Sequence, residues 1–385
     1  MIGLFLYQNK IEGLVPEWIW NNSQETLHLI GLSNNFITGF HQNSQFLPWI
    51  HLEVFEISNN QLQGELVIPP QTTVVYDLSN NILIGEIPES ICKLKSLRVL
   101  DLSSNNMTGT LPPCLGSYLS MSLLVLNLKG NNFHGPMISF VYGCLLKRID
   151  FSENLFTGQV SRSLANCTNL EFLSLGDNSF QDLFSVWLGS LNELQVLTLR
   201  SNKFYGTIDQ GLKNISSNFL KLRIIDLSRN NFSGELPGKS FQTWNAMKSV
   251  YVGNSSAMGF DLPFNTVPPF DFRYTMKLIH KGVKREYLKI LNIFIAIDLC
   301  CNKFEGQIPH SLQDLHGLEF LNLSNNLLTG RILPSLGNLK NLESLDLSQN
   351  QLSGEISRQL LQLRFLSILN VSFNHLDGRI PQGNS

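Results

Sequence analysis

The sequence predicts an α/β repeat solenoid, a curved array of about fourteen coils of ~24 residues whose short strands stack into a parallel, concave β-sheet. Three observations predict it. A pattern of leucine, any residue, leucine, two residues, asparagine, one residue, an apolar residue, one residue and glycine recurs along the chain. Its asparagines are Asn9, Asn35, Asn60, Asn81, Asn105, Asn131, Asn154, Asn178, Asn202, Asn230, Asn302, Asn326, Asn350 and Asn374. Glycine follows by four positions in every repeat but one, where Asp182 follows Asn178. The last three intervals are each 24 residues, and those up to Asn230 run from 21 to 28.

A chain of 385 residues exceeds one ordinary globular core. A solenoid escapes that limit because each coil buries apolar surface only against its neighbours. The balance of 28 basic and 30 acidic residues gives a net charge of −2, with 15% of residues charged, so no field gathers nucleic acid or anionic lipid.

Each fixed position has a physical task. In Leu100-Asp101-Leu102 and Leu345-Asp346-Leu347 the leucines alternate inward and the residue between them is expected to face solvent. The aligned Asp77, Asp101, Asp150, Asp226, Asp298 and Asp346 read as this solvated consensus residue, partnering nearby donors, and not as a catalytic or cation-binding column. The repeating asparagine turns the chain out of the strand, and its amide can serve backbone groups of adjacent coils that would each cost about 1–3 kcal/mol if left unmade. The glycine permits a tight or positive-φ turn.

The turn after the strand is also specific. Gly85-Glu86-Ile87-Pro88, Gly234-Glu235-Leu236-Pro237 and Gly306-Gln307-Ile308-Pro309 place proline, which lacks an N–H and fixes φ, in the irregular second layer of the coil. This combination with a 24-residue period resembles the plant-specific extracellular class of leucine-rich repeats. Asn230 and Asn302 stand 72 residues apart, three periods, and Ser249 and Tyr251 occupy the places where a hidden repeat around Asn254 needs leucines. The chain therefore divides into repeats one to ten at 1–237, a non-repeat stretch at 238–293, and repeats eleven to fourteen at 294–385. That stretch, ending in the Lys281-to-Leu291 run, resembles the island domain of plant receptor-like proteins.

The resemblance implies a non-catalytic ectodomain at the extracellular face of the plasma membrane. It implies an extracellular peptide, protein or glycan ligand, in immunity or development, and signalling through a partner receptor-like kinase or co-receptor kinase. No cofactor is implied. Lys281, Gly282, Glu286 and Tyr287 are expected to dock the island and shape a ligand or co-receptor site, with simple packing the other role open to Tyr287. Arg98, Lys147, Glu171, Gln195, Arg223, Glu319 and Glu343, beside the core leucines, change charge from coil to coil and are candidate contacts on a concave sheet roughly 65 Å long. The alternatives are a secreted inhibitor of a cell-wall-degrading enzyme, resembling the polygalacturonase-inhibiting proteins but longer and interrupted, and a truncated receptor copy without function.

Met1 leads directly into Leu4-Phe5-Leu6, a first-repeat strand, so neither a secretory signal nor a cysteine-paired cap is expected in this chain. The longest apolar stretch, near Ile293 to Ile297, is far below the ~20 residues of a membrane span. Sequons at Asn21, Asn106, Asn166, Asn214, Asn231, Asn254, Asn322 and Asn370 fit a secretory surface, with Asn106 and Asn231 foremost because they adjoin the repeating asparagine. Several of the others are expected to serve the repeat alone. Cys92 and Cys114 fall one repeat apart, which permits a bridge between coils, although paired buried thiols are the reading adopted; Cys144, Cys167, Cys300 and Cys301 form no metal cluster. Cys300-Cys301 has no explanation in the repeat pattern. The histidines are scattered, and no nucleotide-binding, hydrolase, metalloprotease or kinase motif is present.

Overall fold

The computed structural model describes residues 1–21, 24–41, 45–209, 219–249, 256–262, 270–280 and 283–382. Two compact units follow one another, Met1–Asp182 and Leu183–Ser385.

In the first unit, eight three-residue strands run from Gly3–Phe5 to Phe172–Ser174, each parallel to the next and in register. In the second, six run from Val196–Thr198 to Ile368–Asn370. The fourteen strands match the fourteen repeats. Between the first and last strands the central residues, such as Leu100, Leu126 and Ile149 in the first unit and Ile225, Leu321 and Leu345 in the second, are fully buried, as are Leu102 and Leu347. A second apolar column lies two residues beyond the repeating asparagine. Phe156 stacks on Phe180 at 6.1 Å, and Phe204, Phe232 and Phe304 form a continuous stack at 6.1 and 6.3 Å.

The asparagines form a ladder. Asn105 Nδ2 donates to Leu78 O of the preceding coil at 3.0 Å and to Leu102 O of its own at 3.1 Å, and its Oδ1 accepts the Leu83 N–H at 3.0 Å. Asn131, Asn154, Asn302, Asn326 and Asn350 repeat this arrangement. The residue before each asparagine is left-handed, from Gln8 at φ 54° to Phe373 at φ 54°. That conformation aims its N–H at the next coil, as when Asn34 donates to Ser58 O at 2.9 Å. The energy comes from the cross-coil bond, so even Glu153 and Arg229 hold a backbone that disfavours them.

Minor parallel strands that contain the positive-φ glycine, such as Asn132–Pro136 and Lys303–Gln307, lead into an outer layer of short 3-10 helices. Pro88 and Pro309 stand immediately before two of these, Glu89–Lys93 and His310–Asp314. Among the described residues α-helix is confined to Glu17–Asn21, Gly238–Phe241 and Asn245–Lys248.

Three expectations need correction. The aspartates between the leucines are not solvated: Asp101, Asp150, Asp226 and Asp298 are buried, and each accepts the N–H of the residue two positions on. In register beside them stand other polar residues, Asp77 and Asn127 beside Asp101, and Asp226 and Asn322 beside Asp298, and the local bonds replace water. Cys92 and Cys114 are not thiols but a disulfide joining neighbouring coils, Cα to Cα 5.7 Å, and Cys144 and Cys167 form a second at 4.7 Å. Only Cys300 and Cys301 remain free.

Strand Ile224–Asp226 pairs directly with Ala296–Asp298, so the chain between them leaves the sheet and returns. Its first part serves coil ten. Ser240 Oγ and the Lys239 N–H donate to Asp209 at 2.6 and 2.9 Å, Phe241, Trp244 and Met247 are buried, and Gly317 N–H donates to Met247 O at 3.0 Å. A boundary at 238 thus falls within the outer layer of that coil, and the excursion proper lies beyond Lys248. It contains two antiparallel strand pairs, Gly259–Leu262 with Phe270–Arg273 and Met276–His280 with Val283–Tyr287. Met258, Leu262, Tyr274, Met276 and Ile290 are buried within it, and backbone bonds link Met258, Tyr274 and Ile290 to one another.

Candidate functional site

A recognition surface on such a stack is built from residues that the strand register aligns. Arg98, Lys147 and Glu171 in the first unit, and Gln195, Arg223, Glu319 and Glu343 in the second, each immediately precede a strand at the same position of the coil. Arg98 is exposed and the other six are half-buried. Lys147 Nζ and Glu171 Oε1 pair at 3.0 Å. Glu319 and Glu343 are adjacent and alike in charge; burial, then the charge of Glu343, pushes Glu319 up to about 7. The column therefore carries both signs in the first unit and a run of acid at the end of the second.

One charged residue escaped the sequence reading. Arg148 occupies a strand position held by Val99 and Val125 in the preceding coils, and its side chain is 1% exposed. It donates to Asp150 Oδ2 at 2.9 Å and lies over the Phe172 ring at 4.3 Å, a desolvated cation set against a carboxylate and an aromatic face. The break in the apolar column was the available signal. In the same unit Glu56, Asp77 and Asp101 are in register on neighbouring strands. Burial and the charge of Asp101 push Asp77 up to about 7, and burial also raises Asp101 and Glu56. Tyr7 donates its hydroxyl to Glu56 at 2.5 Å.

In the second unit the excursion meets the array. Arg200, 8% exposed at the exit of strand Val196–Thr198, donates from Nη1 to Lys277 O at 3.2 Å. Tyr287 stacks on Phe294 at 5.4 Å, beside the strand where the chain re-enters the sheet. Lys281 and Gly282 lie outside the described residues; Glu286 is opposite Lys277 in the hairpin register.

The sequons separate by environment. Asn106 and Asn231 are exposed. Asn322 is buried and accepts the Ser324 N–H, Asn370 donates to Asp346 Oδ2 at 3.0 Å, and Asn166 donates to Phe140 O at 2.9 Å. Asn21 is exposed, whereas Asn214 and Asn254 lie outside the described residues. Among the described residues no group of three histidine, cysteine or acidic side chains is placed to hold a metal, and no helix is long and apolar enough to cross a membrane.

The coil geometry and its ladder agree with a family model described as Leucine Rich Repeat, which matches residues 77–94, 96–118, 221–240, 317–339 and 341–363. Arabidopsis thaliana Receptor-like protein 35 is 40% identical over 308 residues, covering 79% of this chain and 29% of its own length. Receptor-like protein 32 of the same plant is 39% identical over 332 residues, covering 82% and 33%. The chain belongs to the plant leucine-rich-repeat receptor-like proteins. It spans about a third of the length of these relatives. Among solved structures, the Arabidopsis receptor kinase HAESA, in complex with the peptide hormone IDA and the co-receptor SERK1, superposes with a TM-score of 0.73 at 28% identity. The match covers 99% of the receptor-like chain and 55% of HAESA.

Proposed function

We propose that this receptor-like chain is the ligand-recognising portion of a receptor ectodomain at the outer face of the plasma membrane. It binds an extracellular peptide, protein or glycan and signals through a partner receptor kinase, contributing no catalysis itself. The observation that carries the reading is the likeness of nearly the whole chain to a receptor ectodomain that holds a peptide hormone and a co-receptor together. The two inter-coil disulfides suit a protein matured in an oxidising compartment. The Arg200 contact ties the excursion hairpin to the strand exits of the second unit, and Glu319 and Glu343 supply acidic side chains at the strand entrances of the same sheet. In this reading the hairpin containing Lys281, Gly282 and Glu286 and the adjoining coils form the co-receptor contact.

The test excises residues 250–291 and leaves coil ten's outer layer in place. Ser249 O and the Ile295 side chain both lie against Gly317, and Ile295 is three residues past the second cut end, so a short glycine linker is designed to join Ser249 to Asn292. Immobilised intact chain should capture purified SERK1 ectodomain in the presence of plant extracellular extract as the source of ligand, and the excised form should not, while its circular dichroism is unchanged. Equal capture by both forms would reject a role for the excursion in partner binding.

A further inference from the structure

The minor strands of the first unit pair with a fixed offset from coil to coil, Gly135 opposite Phe156 and Gly64 opposite Leu83. Coil two breaks that offset. Gly13 still faces Ile37, but Leu14 faces Gly39, so Thr38 is an extra residue, a β-bulge. A slip of one residue turns the side chains beyond it to the other face. Phe40 accordingly points inward, its ring 5.7 Å from that of Trp20 and 6.3 Å from that of Phe55. His41 is turned out and exposed, although the same position is buried at Val15, Leu66 and Ile87 in the surrounding coils.

The bulge also ends the pairing. Among the described strands, Phe36–Phe40 pairs only with Glu12–Val15, and Gln63–Gly64 only with Ile82–Leu83. Coil three is the shortest of the array, with 21 residues from Asn60 to Asn81. Where the strands part, a cavity of about 380 Å³ opens, within the size range of ligand pockets. Leu62, Leu66, Leu78 and Leu83 form its buried lining, and Leu14, 51% exposed, and the half-buried Phe40 border it nearer the surface. Glu65 is the one charged residue among those lining it, and Glu86 holds the same position one coil on. In the next three coils the turn glycine lies under a side chain of the coil before, Glu65 over Gly85, Glu86 over Gly109 and Thr110 over Gly135. A Cβ on Gly64 would meet nothing within 4 Å, because Phe40, the residue placed to cover it, is turned inward.

We propose that this cavity holds a leucine- or phenylalanine-sized side chain of an extracellular peptide, with a basic residue beside it. The claim rests on the reading of the chain as a peptide-binding ectodomain, and adds a contact in the unit that does not carry the excursion. Each part of the site answers one part of such a peptide. The apolar lining takes the side chain out of water, the bare main chain at Gly64 gives the peptide backbone a place to lie that a hydrocarbon cannot use, and Glu65 with Glu86 complements a lysine or arginine.

The experiment titrates the folded chain, isotope-labelled at its leucine methyls, with acetylated and amidated Gly-Leu-Lys-Gly in the absence of any co-receptor. Methyl shifts are expected at Leu14, Leu62, Leu66 and Leu83. Alanine in place of the peptide's leucine should weaken binding roughly tenfold or more, and glutamate in place of its lysine about two- to fivefold. Glu65→Lys should reverse the second preference, and Leu14→Trp, at an exposed border, should fill the mouth and abolish the shifts. Excision of residues 250–291 should leave the shifts as they are, so that failure of this site and failure of co-receptor capture are read separately. No shifts at millimolar peptide, equal binding of the alanine peptide, an unaltered charge preference in Glu65→Lys, shifts persisting in Leu14→Trp, or hexylamine binding as tightly as the peptide would each overturn the proposal.

Discussion

Replacing Asp77 with asparagine should stabilise the first unit at neutral pH and do little in acid. Asp77 stands between Glu56 and Asp101 on adjacent strands, so three carboxylates share one partly desolvated row. Burial and Asp101 push Asp77 to about 7 from 3.8. Between those values the folded state keeps a proton that the unfolded chain has released. The folded form thus binds more protons, and stability falls as pH rises through this window, reaching its full loss above about 7. A shift of roughly three units sets a ceiling of about 4 kcal/mol at ~1.36 kcal/mol per unit, and the half-buried position of Asp77 reduces it. Asparagine keeps an oxygen for the Ser79 N–H, now accepted by Asp77 Oδ1 at 2.9 Å. It also gains an amide for Asp101, as Asn127 provides from the other side at 2.7 Å. The expected gain is about 1–3 kcal/mol near pH 8 and close to zero near pH 4, read as the difference in urea midpoints between variant and parent. An equal effect at both pH values, or destabilisation at pH 8, would show that the carboxylate row is not strained by charge.

The ladder predicts a contrast between two asparagines. Asn105→Ala strands the Leu83 N–H and takes one donor each from Leu78 O and Leu102 O, which keep Asn81 and Asn131, and should cost about 1–3 kcal/mol, whereas Asn9, which bonds only within its own coil, should cost under about 1 kcal/mol in urea unfolding. Removing the Cys144–Cys167 bridge by Cys144→Ser with Cys167→Ser opens a loop of 23 residues and should cost about 3 kcal/mol; an unchanged midpoint would show that coil packing alone holds the outer layer there. In secretory expression, Asn106→Gln and Asn231→Gln should each remove one glycosidase-sensitive mobility step and Asn322→Gln none, because Asn322 is buried. A step lost in Asn322→Gln would mean that coil is not packed as described.

What could be read in the sequence was whatever the side chain itself enforces. The ladder asparagines, inward leucines and turn glycines are chemically required, so their spacing is visible without coordinates. The left-handed residue before the asparagine was invisible because its conformation is tied to a backbone bond to the next coil, which Gln8, Ser104, Glu153 and Gln349 accept alike. The aspartate row was misjudged for a related reason: alternation tells which way a side chain points, but its burial depends on the coils beside it. The disulfides were half-visible. Cys144 and Cys167 repeat the one-coil spacing of Cys92 and Cys114, and two such pairs weigh against chance more than either alone. The seven residues that precede the strands share one position of the coil, but the contact between Arg200 and the excursion required the fold, since 77 residues separate Arg200 from Lys277.

The position of the excursion follows from how the coils close. Coil ten and coil eleven satisfy one another as if nothing lay between them. Asn302 reaches back to Leu227 O at 3.0 Å, the Leu227 N–H donates to Asp298 O at 2.9 Å, and Phe232 stacks on Phe304. Loop-closure entropy rises only as the logarithm of loop length, about 0.6 kcal/mol per doubling, so a long detour adds little to the cost of a short one. The detour must still shield its own polar backbone, and the strand pairs around buried Tyr274 do so. The array therefore places no demand on the excursion's exposed residues beyond the return to Ala296, which leaves them open to selection for contact with a partner while the repeats hold their register.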